Sequence, residues 1–173
     1  EDSALMVSEK PKKLAARSGV QTENSVARVT IDGAAEYYDN FTGAWNAAQG
    51  HTAEILLLKD VVTSSSQGLE INDNASDITL EMNEGVTLSG RTWYGIIRVN
   101  AGKFTLNSGT ISSESGHGIQ IKGGEFILNG GIVSAPAGKT YRGVDVENGG
   151  TFIMNGGEVT AGQYGVYCQN SAV

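Results

Sequence analysis

The sequence predicts an all-β chain folded as a parallel β-helix, a solenoid with three strands in each coil and a short capping α-helix at its N-terminal end. Three observations support this prediction. A motif recurs every 22 to 26 residues, apolar and polar residues alternate with the period of a β-strand, and glycine and asparagine separate the alternating stretches. With 24 glycines but only two prolines in 173 residues, the composition favours frequent turns.

The motif is clearest around three phenylalanines, each followed three residues later by an asparagine and then by glycine. The pairs are Phe104 with Asn107, Phe126 with Asn129, and Phe152 with Asn155. A second marker is a glycine that precedes an apolar alternation, at Gly95, Gly118, Gly143 and Gly165. An earlier, fainter copy has Ile78 at the phenylalanine position. A unit of this length holds three short strands with their turns, and stacking units about 4.8 Å apart buries the apolar face that one unit exposes.

Alternation within each strand assigns side chains to the inside of the solenoid. After the marker glycines, the inward residues are Ile97, Val99, Ile119, Ile121, Val144, Val146, Val166 and Cys168. In the phenylalanine strand they are Phe104, Leu106, Phe126, Leu128, Phe152 and Met154, and in the third strand Leu88, Ile111, Val133 and Val159. We expect each position to form a ladder of like side chains, with stacked phenylalanine rings and hydrogen-bonded corner asparagines.

The segment before the repeat has a helical period. Near 39–49, four apolar residues are spaced as on one helix face: Phe41, Ala44, Trp45 and Ala48. Because an open solenoid end invites edge pairing, we expect this helix to cap the first coil. The β-helix domain is predicted at 29–173, and the polar, aperiodic residues 1–28 are predicted to form an extended arm or linker. Since the last coil stops without a phenylalanine motif or a cap, we expect it to be truncated and continued by further coils or domains.

Charge and composition argue against several classes of partner and cofactor. The formal net charge of −7 disfavours a nucleic-acid-binding surface. No apolar run approaches the roughly 20 residues of a membrane-spanning helix, so no membrane insertion is predicted. The single cysteine, Cys168, excludes an internal disulfide, and its inward position predicts a small buried side chain rather than a nucleophile. His51 and His117 lack neighbouring ligands, and the acidic turn 71–77 lacks the glycine and glutamate of a calcium loop, so no metal or cofactor is predicted.

Three stretches together resemble a known group of proteins. They are AWNAAQGHTAEILLLKDV, ITLEMNEGVTLSG and the repeated F-x-L/M-N-G-G-x-V. They are similar to the right-handed, single-stranded parallel β-helix segments of large secreted or wall-attached proteins from gut and oral Gram-positive bacteria, in the broad pectin-lyase-like class. The resemblance covers residues 29–170 and implies a right-handed solenoid, a secreted or cell-surface location and an adhesin-like role. A shared fold does not by itself carry an activity across.

One group of residues could support catalysis. Polysaccharide-cleaving enzymes on the fold that the chain resembles use acidic residues clustered on an outward face. The resemblance therefore implies that any catalytic site would lie in such a cluster. Here Asp145 and Glu147 are predicted to face outward, two residues apart, with Lys122 and Arg98 one or two rungs away, and two such carboxylates could act as acid and base. We favour simple charge pairing, Glu70 with Arg98 and Lys122 with Glu147, worth about 0.2–1 kcal/mol for each pair. A polysaccharide lyase or glycoside hydrolase using Asp145, Glu147 and Lys122 is the alternative.

The sequence favours a binding surface over a catalytic one. Eight aromatic, basic and histidine residues fall on or near the turn that enters the strand after the marker glycine: Trp93, Tyr94, Arg98, His117, Tyr141, Arg142, Tyr164 and Tyr167. Aligned along one edge, these residues would form a strip on which sugars stack. The alternative is that the same rings have no ligand and serve only to cover a corner of the core. The long loop 134–142 is of the kind that often lies on a functional side. We expect a non-enzymatic, adhesin-like module that binds polysaccharides or host glycans, with a purely structural stalk as the second alternative.

Overall fold

The repeat dominates the architecture. The computed structural model describes residues 17–137 and 140–169, and the repeat within them forms a parallel β-solenoid of about five turns. Strands that pair with each other are therefore separated in the sequence by about one length of the motif. The predicted solenoid and its repeats are confirmed.

The strands of the five coils are as follows. The first coil contains β4 (Thr52–Leu57), β5 (Val61–Thr63) and β6 (Leu69–Ile71), the second β7 (Asp77–Met82) and β8 (Thr87–Val99), and the third β9 (Lys103–Leu106) and β10 (Thr110–Ile121). The fourth contains β11 (Glu125–Leu128), β12 (Ile132–Ser134) and β13 (Arg142–Val146), and the fifth β14 (Thr151–Met154), β15 (Glu158–Thr160) and β16 (Tyr164–Cys168). One sheet joins β4, β7, β9, β11 and β14. The other strands of the coils pair in parallel in a second sheet: β8 pairs with β5, β6 and β10, β10 also pairs with β12 and β13, β12 pairs with β15, and β13 pairs with β16.

In the second and third coils, one long strand takes the place of two short ones. β8 has 13 residues and β10 has 12, and their pairing contains register shifts between Ser113 and Ser115 and between Ser115 and His117. These irregularities let the strands bend at the corner without a turn. The fourth coil instead opens into a loop between β12 and β13.

The phenylalanine and asparagine ladders form as predicted. Ile78, Phe104, Phe126 and Phe152 are in register on neighbouring strands. The ring centroids of Phe104 and Phe126 are 5.5 Å apart and those of Phe126 and Phe152 are 5.2 Å apart, with interplanar angles of 18° and 16°. The corner asparagines are linked by side-chain hydrogen bonds.

In that asparagine ladder, Asn129 Nδ2 donates to Asn107 Oδ1 at 2.9 Å, and Asn155 Nδ2 donates to Asn129 Oδ1 at 2.8 Å. An asparagine pair at another corner was not predicted: Asn100 Nδ2 donates to Asn72 Oδ1 at 2.6 Å. Repeated side chains therefore also bond to one another outside the core.

The residues assigned to the interior are buried in the inner coils, whereas in the last coil they keep the register of the buried residues but several are exposed. Ile97, Ile119 and Val144 are fully buried, as are their neighbours two residues on. Cys168, predicted to be buried, is exposed, and Val166 and Met154 are 41% and 48% exposed. These side chains belong to the fifth coil, which no further coil covers among the described residues.

The N-terminal part adds antiparallel strands that the sequence analysis did not assign. β1 (Arg17–Ser18), β2 (Ala27–Ile31) and β3 (Ala34–Tyr38) extend the first sheet in the order β1-β3-β2-β4. Asp32 and Gly33 have φ of 50° and 78°, the left-handed backbone that a tight two-residue hairpin turn requires. The predicted boundary at residue 28 falls inside β2, and residues 1–16 of the predicted arm lie outside the described residues.

The helix predicted near 39–49 is α1 (Phe41–Ala48). The Asn40 side chain accepts a hydrogen bond from the Gly43 amide at 2.8 Å, which caps its N-terminus. The Trp45 ring lies 6.1 Å from the Phe104 ring, and Trp45 Nε1 donates to the Glu70 carbonyl at 3.1 Å. The helix therefore packs its apolar face into the interior of the first coils.

Candidate functional site

A column of five outward residues is in register on five strands that are neighbours in one sheet. Glu70 pairs with Arg98, Arg98 with Gln120, Gln120 with Asp145, and Asp145 with Tyr167. Parallel pairing places these side chains about 4.8 Å apart along one face. They are therefore close enough to bond across rungs.

Polar contacts link this column from the first coil to the fourth. Arg98 forms an ion pair with Glu70, and its Nε donates to Gln120 Oε1 at 3.2 Å. Gln120 Nε2 in turn donates to Glu147 Oε1 at 2.8 Å, and Lys122 Nζ lies 3.7 Å from the same oxygen. Both predicted charge pairs are thus present.

Asp145 is buried even though it lies on the outward face. It is 2% exposed, and its neighbour Gln120 is 4% exposed. A buried carboxylate is costly unless it is paired, and the Arg142 guanidinium donates to Asp145 Oδ1 at 2.6 Å. His117 Nε2 lies 3.7 Å from Asp145 Oδ2. The burial of Asp145 was not predicted, because exposure was inferred from strand alternation alone.

His117 is the titratable group of this cluster. Burial lowers the pKa of His117 below its ordinary value, and the nearby Arg142 charge lowers the pKa further, while the Asp145 carboxylate opposes both effects. His117 Nδ1 accepts a hydrogen bond from the Arg142 amide at 2.9 Å, so a neutral imidazole carries its proton on Nε2, on the side of Asp145.

An open groove of about 440 Å³ lies beside this cluster. It is lined by His117, Thr140, Tyr141, Arg142, Gln163, Tyr164 and Tyr167. Five of the eight predicted binding residues therefore line one groove, together with Thr140 and Gln163, which the sequence analysis missed. Thr140 lies in the long loop 134–142, which the sequence had marked as a candidate functional region, whereas no sequence signal marked Gln163.

The aromatic rings of the groove are held by neighbouring side chains. The Tyr164 and Tyr167 rings are 5.3 Å apart, and the Arg142 guanidinium lies 3.9 Å from the centroid of the Tyr167 ring. The Tyr141 ring meets the His117 ring edge-on at 6.1 Å. Because Tyr164 is 43% exposed, it offers ring surface to a ligand.

The other three predicted binding residues lie elsewhere. The Tyr94 ring covers the Arg98 guanidinium at 4.5 Å and the Lys122 ammonium at 5.6 Å. Trp93 is 78% exposed and lines a separate depression of about 250 Å³ with Arg91, Thr92 and Ser115. The predicted strip is therefore divided into the groove, the Tyr94 stack over Arg98, and an isolated tryptophan.

In the acidic turn 71–77, the Asp73 carboxylate is hydrogen-bonded within the turn itself. Asp73 accepts hydrogen bonds from the Ala75 and Ser76 amides and from the Ser76 hydroxyl, at 2.7–3.0 Å. The hydrogen bond from the Ser76 side chain is the main cause that lowers the pKa of Asp73. Within the described residues, no three His, Cys, Asp or Glu side chains are grouped to hold a metal ion.

The described part of the chain contains no helix with the length and apolar character needed to cross a bilayer. The sequence matches no protein-family model and no curated protein, and the fold matches no solved structure.

Proposed function

We propose that the chain is a non-enzymatic saccharide-binding module and that its ligand occupies the groove of His117, Tyr141, Arg142, Tyr164 and Tyr167. The observation that supports this most directly is the groove itself, an open space of about 440 Å³ in which three tyrosines converge with an arginine and an amide. Saccharide sites need a flat apolar surface for a pyranose face and nearby polar groups for its hydroxyls. The groove offers both.

The charge balance of the face favours an uncharged ligand. Three cations, on Arg98, Lys122 and Arg142, balance three carboxylates, on Glu70, Asp145 and Glu147, and every one of them is engaged in an ion pair. An anionic or cationic ligand would have to break one of these partly buried pairs, which is costly. A neutral polysaccharide or glycan can bind without doing so.

The enzyme alternative rests on Asp145, Glu147 and Lys122. A buried carboxylate beside a histidine is a common setting for acid–base chemistry. Against it, the Asp145 carboxylate is bonded to Arg142 and is only 2% exposed, which leaves little room for a scissile bond to reach it. We therefore favour binding over catalysis, with a structural stalk that binds nothing as the remaining candidate.

We also propose the finer features of the fold that the resemblance implies. These are a right-handed coil with three strands, an N-terminal cap formed by α1, membership of the pectin-lyase-like class, and a secreted or cell-surface, adhesin-like role in a bacterium. The packing of Trp45 against Phe104 supports the cap, and the three separate strands of the fourth and fifth coils support the coil geometry.

A glycan array followed by calorimetry tests the binding proposal. Tyr164→Ala should weaken binding of a neutral glycan about two- to tenfold, since an aromatic stacking contact contributes about 0.5–1.5 kcal/mol. Trp93→Ala is the matched control, an exposed aromatic residue outside the groove, and should leave the affinity unchanged. Equal affinities for the wild type and Tyr164→Ala would rule out the groove.

The same glycans distinguish binding from catalysis. Incubation with the wild-type protein should release no sugar and no unsaturated product. Product formation that is lost in Asp145→Asn would establish the enzyme alternative. If no glycan binds and none is cleaved, the stalk is the better description.

A further inference from the structure

The first coil leaves part of its strand edge open. Its β4 is covered by β2, which pairs with it in antiparallel fashion from Ala27 to Ile31. In contrast, β5 pairs only with β8, and no strand lies on its other side among the described residues. An open edge presents unpaired backbone groups, which proteins normally cover or protect with a charged residue or a proline. The central residue of β5 is instead Val62, which is 71% exposed.

The helix protects the next strand of this coil but not β5. Trp45 of α1 donates a hydrogen bond from Nε1 to the carbonyl of Glu70 in β6, at 3.1 Å, so part of the β6 edge is already bonded. In the part of the chain that the structure describes, no side chain makes such a bond to the backbone of residues 61–63. The backbone of β5 is therefore the part of this edge that can accept another strand.

A groove runs along this edge, and we call it the edge groove. Two depressions of about 280 and 510 Å³ are lined in part by the same residues, namely Thr42, Thr63, Ser64 and Leu69. They therefore form one continuous space, with α1 as one wall and β5 with the residues after it as the other. A groove beside a free strand edge fits an extended peptide, whose main chain bonds to the edge and whose side chains enter the groove.

The end of the edge groove beside β5 is acidic. Asp39 and Asp60 line it, and none of the described residues that line it is a lysine, an arginine or a histidine. Neither aspartate takes part in an ion pair with another described residue. The ammonium group of the neighbouring Lys59 donates instead to the carbonyl of Glu23. The two carboxylates are therefore left to attract a cationic partner, and the net charge of −7 adds to that attraction.

We propose that the edge groove binds an extended peptide of a partner protein, which adds a strand to β5 and carries lysine or arginine next to an apolar segment. The main chain of the peptide pairs with residues 61–63, its apolar side chains cover Val61 and Val62, and its basic side chains meet Asp39 and Asp60. Charge complementarity favours this occupant over a second copy of the chain, because two chains of net charge −7 repel each other. The site belongs to the first coil, so it is separate from the groove proposed for saccharides, whose lining residues come from the third to the fifth coil.

Calorimetry with synthetic peptides and the full chain tests this proposal. The probe is a short peptide of alternating threonine and valine with two lysines at one end. It is made with the lysines at either end, because the added strand can pair in parallel or antiparallel fashion. At low ionic strength, one of these peptides should bind about tenfold or more tightly than its counterpart with glutamate in place of lysine. The proposal is overturned if neither lysine peptide binds, or if the glutamate peptides bind equally well.

Three variants locate the bound peptide. Val62→Lys changes only an exposed side chain and places a like charge beside the lysines of the peptide, so binding should weaken about tenfold. Ile132→Lys is the matched control: it adds the same charge at a 39% exposed β-branched residue of β12, a strand that is paired on both sides, and should leave the affinity nearly unchanged. Asp60→Asn keeps the oxygen that accepts from the Thr87 amide and should weaken binding about two- to fivefold. Equal losses in Val62→Lys and Ile132→Lys would place the peptide elsewhere and refute the site.

Methylation of the peptide main chain distinguishes strand addition from simple charge attraction. Successive N–H groups of a strand point to opposite sides, so only every second one can bond to the edge. Methylation of the threonine amides in one peptide and of the valine amides in another should abolish binding in one case and preserve it in the other. Equal binding of the two methylated peptides would exclude a strand pairing. A dimer in sedimentation that Val62→Lys dissociates would assign the edge groove to a second copy and likewise overturn the proposal.

Discussion

The phenylalanine stack provides a direct test of packing between rungs. Phe126 lies between Phe104 and Phe152, at 5.5 and 5.2 Å, whereas Phe152 has one ring neighbour among the described residues. Leucine keeps most of the apolar volume but removes the ring, and an aromatic pair contributes about 0.5–1.5 kcal/mol beyond its buried area. We expect Phe126→Leu to lower the free energy of unfolding by about 1–3 kcal/mol, and Phe152→Leu by about half as much.

A double-mutant cycle isolates the stacking energy from the loss of volume. Phe104→Leu combined with Phe126→Leu should show a coupling of about 0.5–1.5 kcal/mol, because these rings touch. Phe104→Leu combined with Phe152→Leu is the matched control, since the two rings are two rungs apart, about 9.6 Å. Its coupling should be within about 0.3–0.5 kcal/mol of zero.

Urea unfolding monitored by circular dichroism measures all of these variants. The dependence of the free energy of unfolding on urea concentration should remain that of the wild type, because the substitutions hardly change the surface that unfolding exposes. A coupling between Phe104 and Phe152 as large as that between Phe104 and Phe126 would show that the energy is not local to neighbouring coils. The nearest-neighbour account would then be wrong.

Two further predictions concern a corner glycine and the buried histidine. Gly109→Ala places a Cβ 2.4 Å from the Met82 side chain at a φ of 93°, whereas Gly85, at a φ of 77°, has open space around it. Denaturant unfolding should therefore show a larger loss for Gly109→Ala than the roughly 1–2 kcal/mol of backbone strain expected for Gly85→Ala, and equal losses would contradict the clash. Because the pKa of His117 is lowered by burial, its neutral form stabilises the fold above about pH 6.5, and this contribution is lost as the pH falls through that value towards the lower folded-state pKa. Between pH 7 and pH 5 the wild type should lose more stability than His117→Gln; parallel losses in the two proteins would argue against it.

The sequence was most informative where residues repeat. Phe104, Phe126 and Phe152 could be aligned because the same side chain must meet its copy in each coil, and the register follows from that demand. Strand alternation then gave the outward column that contains Glu70 and Arg98. These inferences need only the period and the motif.

Features that occur once were harder to predict. The hairpin of β2 and β3 carries a signal, Asp32-Gly33 between alternating apolar residues, but it stands outside the repeat and its strands were not predicted. Asp145 is bonded to Arg142 and lies beside His117 of the neighbouring coil, and alternation within one strand does not describe these contacts. The exposure of Cys168 depends on what lies above its coil rather than on its own strand.

The parallel stacking of coils has a mechanical consequence. The backbone hydrogen bonds between coils all run along the axis of the solenoid, from β4 through β7, β9 and β11 to β14. A force that pulls the two ends apart along this axis loads the bonds of one interface at a time, so coils should peel away in sequence at low force. A force directed along the strands must shear every bond of an interface together, and the same molecule should resist it far more strongly.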